Sequence, residues 1–165
     1  MFPSMTKPYV SKIVTTPVGA LILMGNDDGL AAVLWPNDRP GRVRLKADRE
    51  DGRHPVLREA AQQIGEYFAG TRRAFTIKLN MQGTPFQKKV WEALLAIPFG
   101  ETRSYGEIAR AIGSPKAVRA VGAANGRNPI SIIAPCHRVV GSDGRLTGFA
   151  GGLSVKARLL RFEQS

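Results

Sequence analysis

The sequence contains a single cysteine, Cys136, and only two histidines among its 165 residues. A lone thiol cannot form an intramolecular disulfide or complete an all-cysteine zinc site. It is therefore either a small buried apolar side chain or a nucleophile. Because a buried role is the commoner one for a free cysteine, the pair Cys136-His137 indicates chemistry only if the rest of the chain supports it.

The sequence also lacks an apolar run of about 18 residues, the length that suggests a membrane span. Residues 1–7 lack the apolar core of a secretion signal. Together with the single cysteine, these absences predict a cytoplasmic protein that does not act at a membrane.

Acidic residues are few, since 24 lysines and arginines face 13 aspartates and glutamates, for a formal net charge of +11. Residues 1–80 hold twelve basic against eight acidic residues, and residues 81–165 hold twelve against five. An excess of this size favours a polyanionic partner, with the C-terminal half as the contact surface. Charge alone does not distinguish DNA from RNA or an anionic membrane.

The N-terminal half, residues 1–80, shows alternating strands and turns followed by a helix. Strands are predicted at 10–14, 21–25, 30–35 and 74–79, a hairpin turn at 26–29, an exposed loop over 36–53 and a helix over 55–68. We interpret this half as a small α+β scaffold that carries no chemistry of its own.

The C-terminal half, residues 81–165, contains two capping boxes, at Thr84-Pro85-Phe86-Gln87 and at Ser104-Tyr105-Gly106-Glu107. The second box opens a helix predicted to run through Ile112. Ser114 is expected to cap the next helix, which is predicted to run through Asn125. Two short helices joined by a glycine-containing turn are typical of a helix-turn-helix.

The second helix of this pair combines basic and small side chains. Its small residues would let the backbone approach a neighbouring helix or a narrow groove closely. The basic residues are Lys116 and Arg119, with Arg127 beyond the helix, and the small ones are Ala117, Ala120, Gly122, Ala123 and Ala124.

Cys136 follows a segment, residues 130–134, that is predicted to be a short buried strand. Asn128 precedes a proline, and its side chain is expected to pin the turn before that strand. The adjacent His137 and Arg138 are cationic neighbours of the kind that lower the pKa of a thiol.

Three glycines surround Phe149 before the last predicted helix, over residues 154–163. They indicate either a backbone that approaches a ligand, with Phe149 free to stack, or a tight loop. A carboxylate at Glu163 could orient His137 as third groups do in catalytic triads. The predicted core contacts of this helix are Leu153, Ala157, Leu160 and Phe162.

The chain resembles the O6-alkylguanine-DNA alkyltransferases in its order and spacing from about Gly83 to Glu163. The N-terminal half agrees only in its coarse strand and helix layout. The segments that carry the resemblance are Pro135-Cys136-His137-Arg138-Val139, Arg119-Ala120-Val121-Gly122, Asn128-Pro129 and Gly148-Phe149-Ala150-Gly151-Gly152-Leu153.

The resemblance implies an α+β fold with two domains. A small N-terminal α/β roll of the ribonuclease H-like type, residues 1–80, would precede a mostly helical C-terminal domain, residues 81–165. The second domain would carry a helix-turn-helix, or winged-helix-like, DNA-binding motif.

The resemblance also implies DNA repair in a single turnover. The alkyl group of O6-alkylguanine in double-stranded DNA would pass irreversibly to Cys136, with O4-alkylthymine left open as a second substrate. His137 would take the thiol proton through a water, Glu163 would align the imidazole, and Asn128 would pin the turn. No cofactor is implied, and no metal, because the zinc site of some members needs cysteines that the N-terminal half lacks.

The same resemblance assigns residues to DNA and to the extruded base, which would leave the duplex on the minor-groove side. Arg119 would fill the space left by the guanine, and Tyr105 would press on the 3′ phosphate and donate its hydroxyl to the base. The carbonyls of Cys136 and Val139 and the N–H of Ala150 would face the guanine. Further DNA-binding residues would be Ser104, Lys116, Ala117, Ala123 and Arg127, and further pocket residues Phe149, where the family often has tyrosine, and Gly151.

Two other classes of protein stay open from the residues alone. One is a non-catalytic helix-turn-helix protein that senses DNA lesions or regulates transcription. The other is a cysteine hydrolase, for which His54 is the only remote partner. A monomer in solution is expected, and cooperative binding on DNA is left open.

Overall fold

The computed structural model describes residues 7–165. Its N-terminal half is a four-stranded sheet with the order β3-β2-β1-β4, in which β4 runs parallel to β1 and the other neighbours are antiparallel. The strands are β1 (Tyr9–Thr16), β2 (Gly19–Asn26), β3 (Gly29–Leu34) and β4 (Ala47–Glu50). The first three predicted strands and the hairpin between β2 and β3 are confirmed.

Helix α1 (Pro55–Phe68) covers the sheet with the apolar face that its spacing predicts. It buries Leu57, Ala60, Ile64 and Tyr67. His54 precedes the helix, and its Nδ1 accepts a hydrogen bond from the N–H of Val56. The predicted boundaries of this helix, residues 55–68, are confirmed.

The C-terminal half is mostly helical. Trp91 joins two of its helices, because its indole N–H donates to the carbonyl of Ala124 at 2.8 Å. Both predicted capping boxes are present, at Thr84 and at Ser104. The elements are α2 (Pro85–Leu95), β5 (Arg103–Ser104), α3 (Tyr105–Ala111), α4 (Val118–Gly126), a 3-10 turn (Cys136–Arg138), β6 (Val139–Val140) and α5 (Leu153–Gln164).

Two predictions about the N-terminal half are wrong. The stretch over 36–53 is not all loop, because β4 forms at its end by pairing with β1, although its side chains are mostly charged and exposed. Residues 74–79 do not form a strand. They meet β3 at a single bridge between Leu30 and Leu79, and their apolar side chains pack on the core instead.

Three predictions about the C-terminal half are also wrong. Ser114 does not cap α4, since the helix begins at Val118 without a side-chain cap and the Ser114 carbonyl closes a turn with the N–H of Ala117. Residues 130–134 are buried but do not form a strand, because Ile130 makes only a single bridge to Val33 and residues 131–133 form turns. Leu153 is 50% exposed and is not a core contact, because the buried face of α5 is made by Lys156, Leu159 and Glu163.

Two hydrophobic cores meet at the segment that carries Cys136. Ile130, Ile132 and Ile133 belong to the core of the N-terminal sheet, whereas Cys136 and Val139 belong to the core of the helical half. The chain thus crosses from one core to the other within a few residues. No helix within residues 7–165 is long and apolar enough to span a membrane.

Candidate active site and DNA-binding surface

Cys136 lies at the floor of an open cavity of about 430 Å³, and the residue is only 4% exposed. Side chains from both halves of the chain form the walls of this cavity. The lining residues are Asn37, Asp38, Arg39, Arg42, Tyr105, Gly122, Asn125, Gly126, Cys136, Gly148, Phe149 and Ala150.

The turn before Cys136 is held by the side chain of Asn128. Its amide N–H donates to the carbonyl of Ala134 at 2.8 Å, and its Oδ1 accepts from the N–H of Ile130 at 3.0 Å. Within this turn Ile132 has a φ of 73°, a left-handed conformation that a β-branched residue rarely adopts. The full burial of Ile132 and the hydrogen bonds of Asn128 together offset the strain of this backbone.

The Cys136 thiol does not have the lowered pKa that its cationic neighbours predict. Burial raises the pKa of this thiol, and Asn128, Arg42 and Lys156 only partly oppose that effect. The reason is that a thiolate loses its hydration in an apolar site. The resting side chain is therefore a thiol, and its deprotonation requires a base.

Glu163 lies at the centre of a buried polar cluster and accepts from several donors. Its Oε2 is 2.8 Å from Nε2 of His137 and accepts from the Tyr67 hydroxyl at 2.6 Å. The guanidinium of Arg138 donates to both carboxylate oxygens, at 2.8 and 3.0 Å. Burial alone would raise the pKa of Glu163, but these hydrogen bonds hold it at about 2.

The ionised Glu163 fixes the protonation of His137. Because the carboxylate can only accept, Nε2 of His137 carries the proton and donates it. Burial lowers the pKa of His137 even though Glu163 opposes that shift, so the imidazole is neutral. Its Nδ1 is then an unprotonated, buried acceptor with no partner among residues 7–165.

Trp35, from the N-terminal half, packs against Phe149, which lines the cavity. Its indole N–H donates to the Ser131 hydroxyl at 3.1 Å, and its ring packs edge-on against Phe149 with centroids 5.6 Å apart. A Cβ on Gly151 would lie 2.7 Å from the same ring. The close approach made by Gly151 is therefore to Trp35, and Gly151 lies behind the cavity wall.

Lys156 on α5 is fully buried, and its ammonium links two segments near Cys136. It donates to the carbonyls of Val139 at 2.6 Å and Thr147 at 3.2 Å. Burial lowers the pKa of Lys156. The Val139 carbonyl, predicted to face a guanine, is thus already an acceptor for this ammonium, and Val139 itself is fully buried.

The residues predicted to contact DNA lie on α3, on α4 and at their ends. Tyr105 lines the cavity, and its hydroxyl is hydrogen-bonded to that of Thr147. Ser104 Oγ accepts from the N–H of Glu107 as the helix cap. Lys116, Arg119, Ala123 and Arg127 are exposed, and Ala117 is half-buried.

The sequence did not indicate the contributions of Tyr67, Arg42 and Lys156. Tyr67 looked like an ordinary core position of α1, and Arg42 lay in a stretch interpreted as exposed loop. Lys156 lies in a predicted helix, and lysines in helices usually face solvent. Only the position of Arg138 beside His137 could have indicated a cationic partner for Glu163.

Within the described part of the chain, residues 7–165, no group of three or more histidine, cysteine, aspartate or glutamate side chains is placed to hold a metal ion.

Comparison with known proteins gives consistent matches over both halves. Residues 10–81 match the family model for the ribonuclease-like domain of 6-O-methylguanine DNA methyltransferase, and residues 85–165 match its DNA-binding domain. A methylated-DNA--protein-cysteine methyltransferase of Methanosarcina barkeri is 50% identical over 153 residues, which is 93% of this chain and 96% of the relative. A constitutive one of Bacillus subtilis is 49% identical over 151 residues, covering 90% and 92%.

Solved structures agree with the sequence matches. A crystal structure of Mycobacterium tuberculosis OGT in complex with DNA superposes with a TM-score of 0.82 at 44% identity. It covers 96% of this chain, and 93% of that protein is matched. With both domains matched, this chain belongs to the 6-O-methylguanine DNA methyltransferase family.

Proposed function

We propose that this protein repairs DNA by transferring the alkyl group of O6-alkylguanine directly and irreversibly to Cys136. The observation that carries the proposal is the placement of the thiol. Cys136 forms the floor of an open cavity, and the neutral His137, held by Glu163, lies beside it in the chain. A nucleophile, a base and a group that orients the base are the parts of activated nucleophilic catalysis.

The proposed reaction is a displacement at the alkyl carbon. The Cys136 proton passes to Nδ1 of His137 through a bridging water, and the sulfur forms a bond to the alkyl carbon. The bond from that carbon to O6 breaks and its electron pair stays on the guanine. The guanine takes one proton from the Tyr105 hydroxyl that faces it, and the proton that His137 took from Cys136 returns through water to the tyrosinate, so that the imidazole is neutral again. The thioether is stable and the sequence has no second cysteine to release it, so each molecule acts once.

The target atom is out of reach inside a duplex, so the nucleotide has to be flipped into the cavity at a cost of a few kcal/mol. Arg119 is exposed on α4 and would occupy the space that the base leaves. Tyr105 lines the cavity, and its side chain would press on the 3′ phosphate. Ala120 and Ala123, exposed on the same helix, leave its backbone free to enter the minor groove.

Mass spectrometry after mixing the protein with a duplex that contains O6-methylguanine tests the proposal. We expect a gain of one methyl group on the peptide that contains Cys136, and no gain in Cys136→Ala. The substitution removes only the sulfur, so a binding assay with the same duplex serves as the control for folding.

A lesion sensor without transfer is the second candidate, favoured by the helix pair α3–α4 and by the basic excess of residues 81–165. Binding of the lesion duplex by the wild-type protein with no gain of mass would support the sensor and overturn the transferase.

A further inference from the structure

The segment 37–42 of the N-terminal half forms one wall of the cavity that contains Cys136, here called the acceptor cavity. Asn37, Asp38, Arg39 and Arg42 line the same space as Cys136 and Tyr105. A base bound against the Cys136 sulfur would therefore lie in a space that is bounded by this segment and by the helical half. The N-terminal half is thus part of the entrance, although its sequence carries no motif for the chemistry.

Two arginines hold this wall in place against the helical half. Arg42 is only 6% exposed, and its Nη1 donates to the carbonyls of Gly126 at 3.2 Å and Asn128 at 2.8 Å. Its Nε and Nη2 donate to the two oxygens of the Asp38 carboxylate at 2.5 and 2.7 Å. From the other side, Arg127 donates to the carbonyl of Gly41 at 3.3 Å. The position of the segment relative to the end of α4 is therefore fixed.

Arg39 differs from Arg42 because its guanidinium has no acidic partner within the described part of the chain, residues 7–165. The carboxylate of the neighbouring Asp38 is occupied by Arg42, and Arg39 makes no ion pair within residues 7–165. Its side chain is exposed and lines the cavity. A fixed segment thus presents an uncompensated positive charge at the entrance.

We propose that Arg39 binds a phosphate of the strand that carries the flipped nucleotide, so that the N-terminal half takes part in DNA binding. This inference rests on the proposed function. When the base lies against Cys136, its sugar and flanking phosphates stay at the entrance, where Arg39 lies. A guanidinium offers paired donors that match phosphate oxygens, and its charge steers the backbone towards the cavity.

The test compares Arg39→Ala with Arg49→Ala in single-turnover transfer to Cys136. Arg49 carries the same charge but lies on β4 and does not line the cavity, so its substitution controls for net charge. Each variant is assayed with an O6-methylguanine duplex at several salt concentrations and with free O6-benzylguanine, which has no phosphate.

We expect Arg39→Ala to slow transfer from the duplex about three- to tenfold at low salt. The plot of log binding constant against log salt concentration for the duplex should become shallower by about one unit of slope, which corresponds to the loss of one phosphate contact. Transfer from free benzylguanine should be unchanged, and Arg39→Lys should keep most of the duplex rate. Equal rates for Arg39→Ala and Arg49→Ala on the duplex, or equal slowing on both substrates, would overturn the phosphate contact. Failure of the proposed function has a different signature, because the wild-type protein itself would gain no methyl group.

Discussion

At the scale of single residues, Glu163 and His137 are two buried groups whose titration makes the protein sensitive to acid. The pKa of Glu163 is about 2 in the fold against an ordinary value of 4.5, and the pKa of His137 is lowered from 6.5. Both groups therefore bind protons more readily in the unfolded chain than in the folded one. As the pH decreases, the free energy of unfolding falls over every pH range in which the unfolded state binds more protons than the folded state.

We expect the free energy of unfolding to begin to fall below about pH 6.5, as the unfolded histidine is protonated, and to fall more steeply below about pH 4.5. Glu163→Gln should make the part below pH 4.5 shallower. At pH 7, Glu163→Gln should lower the free energy of unfolding by about 3–5 kcal/mol, because the buried guanidinium of Arg138 loses its ion pair. Urea unfolding at pH values from 7 to 3 measures both effects.

The matched control is Glu66→Gln, which removes a carboxylate that also pairs with an arginine, Arg72, but at the surface. Solvent screens that pair, so its loss should change the stability at pH 7 little. An acid profile of Glu163→Gln identical to that of the wild type would contradict the assignment of the acid response to Glu163.

At the scale of elements, the turn over residues 130–134 depends on Asn128. Replacing Asn128 with alanine removes the acceptor for the N–H of Ile130 and the donor to the carbonyl of Ala134, both of which are buried. Each buried group left unpaired costs about 1–3 kcal/mol. We expect Asn128→Ala to be destabilised by about 2–4 kcal/mol and to transfer the alkyl group more slowly, because Cys136 follows directly.

Asn125 provides the comparison, since it is a buried asparagine in the same part of the chain whose Oδ1 has no partner among the described residues. Asn125→Ala removes the same chemical groups without breaking hydrogen bonds to a strained turn. If denaturant unfolding gave equal losses for the two variants, the turn would not depend on Asn128 in this way.

Elements with local signals were predictable. The capping boxes at Thr84 and Ser104 and the hairpin at 26–29 depend on residues within four positions of one another, and all three are present. The strand predicted at residues 130–134 is wrong because an apolar run has the same sequence pattern in a strand and in a buried turn. The sequence did not predict β4, because its charged residues give no strand signal and the strand forms only through pairing with β1.

At the scale of the whole molecule, the two cores share the segment around Cys136 and should unfold together. Val33 on β3 donates its N–H to the carbonyl of Pro129 at 2.8 Å, and Ile130, Ile132 and Ile133 belong to the core of the N-terminal sheet. Unfolding either half would expose apolar surface of the other. We expect a single cooperative transition.

The two tryptophans allow a direct measurement, because Trp35 belongs to one core and Trp91 to the other. In Trp35→Phe the fluorescence reports the helical half, and in Trp91→Phe it reports the sheet half. Within each variant, the fluorescence midpoint in urea should coincide with the midpoint from far-UV circular dichroism. Separate midpoints would show that the halves unfold independently.

The arrangement of the whole molecule also explains why some site residues could not be predicted from the sequence. Cys136, His137 and Asn128 lie close together in the chain and could be singled out from their neighbours. Tyr67 and Arg42 reach the site from the other half, and nothing in their own sequence context records a partner that lies far along the chain. Long-range packing, which is a property of the finished fold, decides their roles.

The contacts that join the halves also affect how the protein folds in time. Trp35 and Ser131 are 96 residues apart in the chain, and so are Tyr67 and Glu163. Contacts of such long range close slowly, because the loop entropy has to be lost before they contribute any stabilisation. We therefore expect the helices and the hairpin to form early and the acceptor cavity to form among the last parts of the molecule. A folding intermediate with native helix content would then have no reactive Cys136.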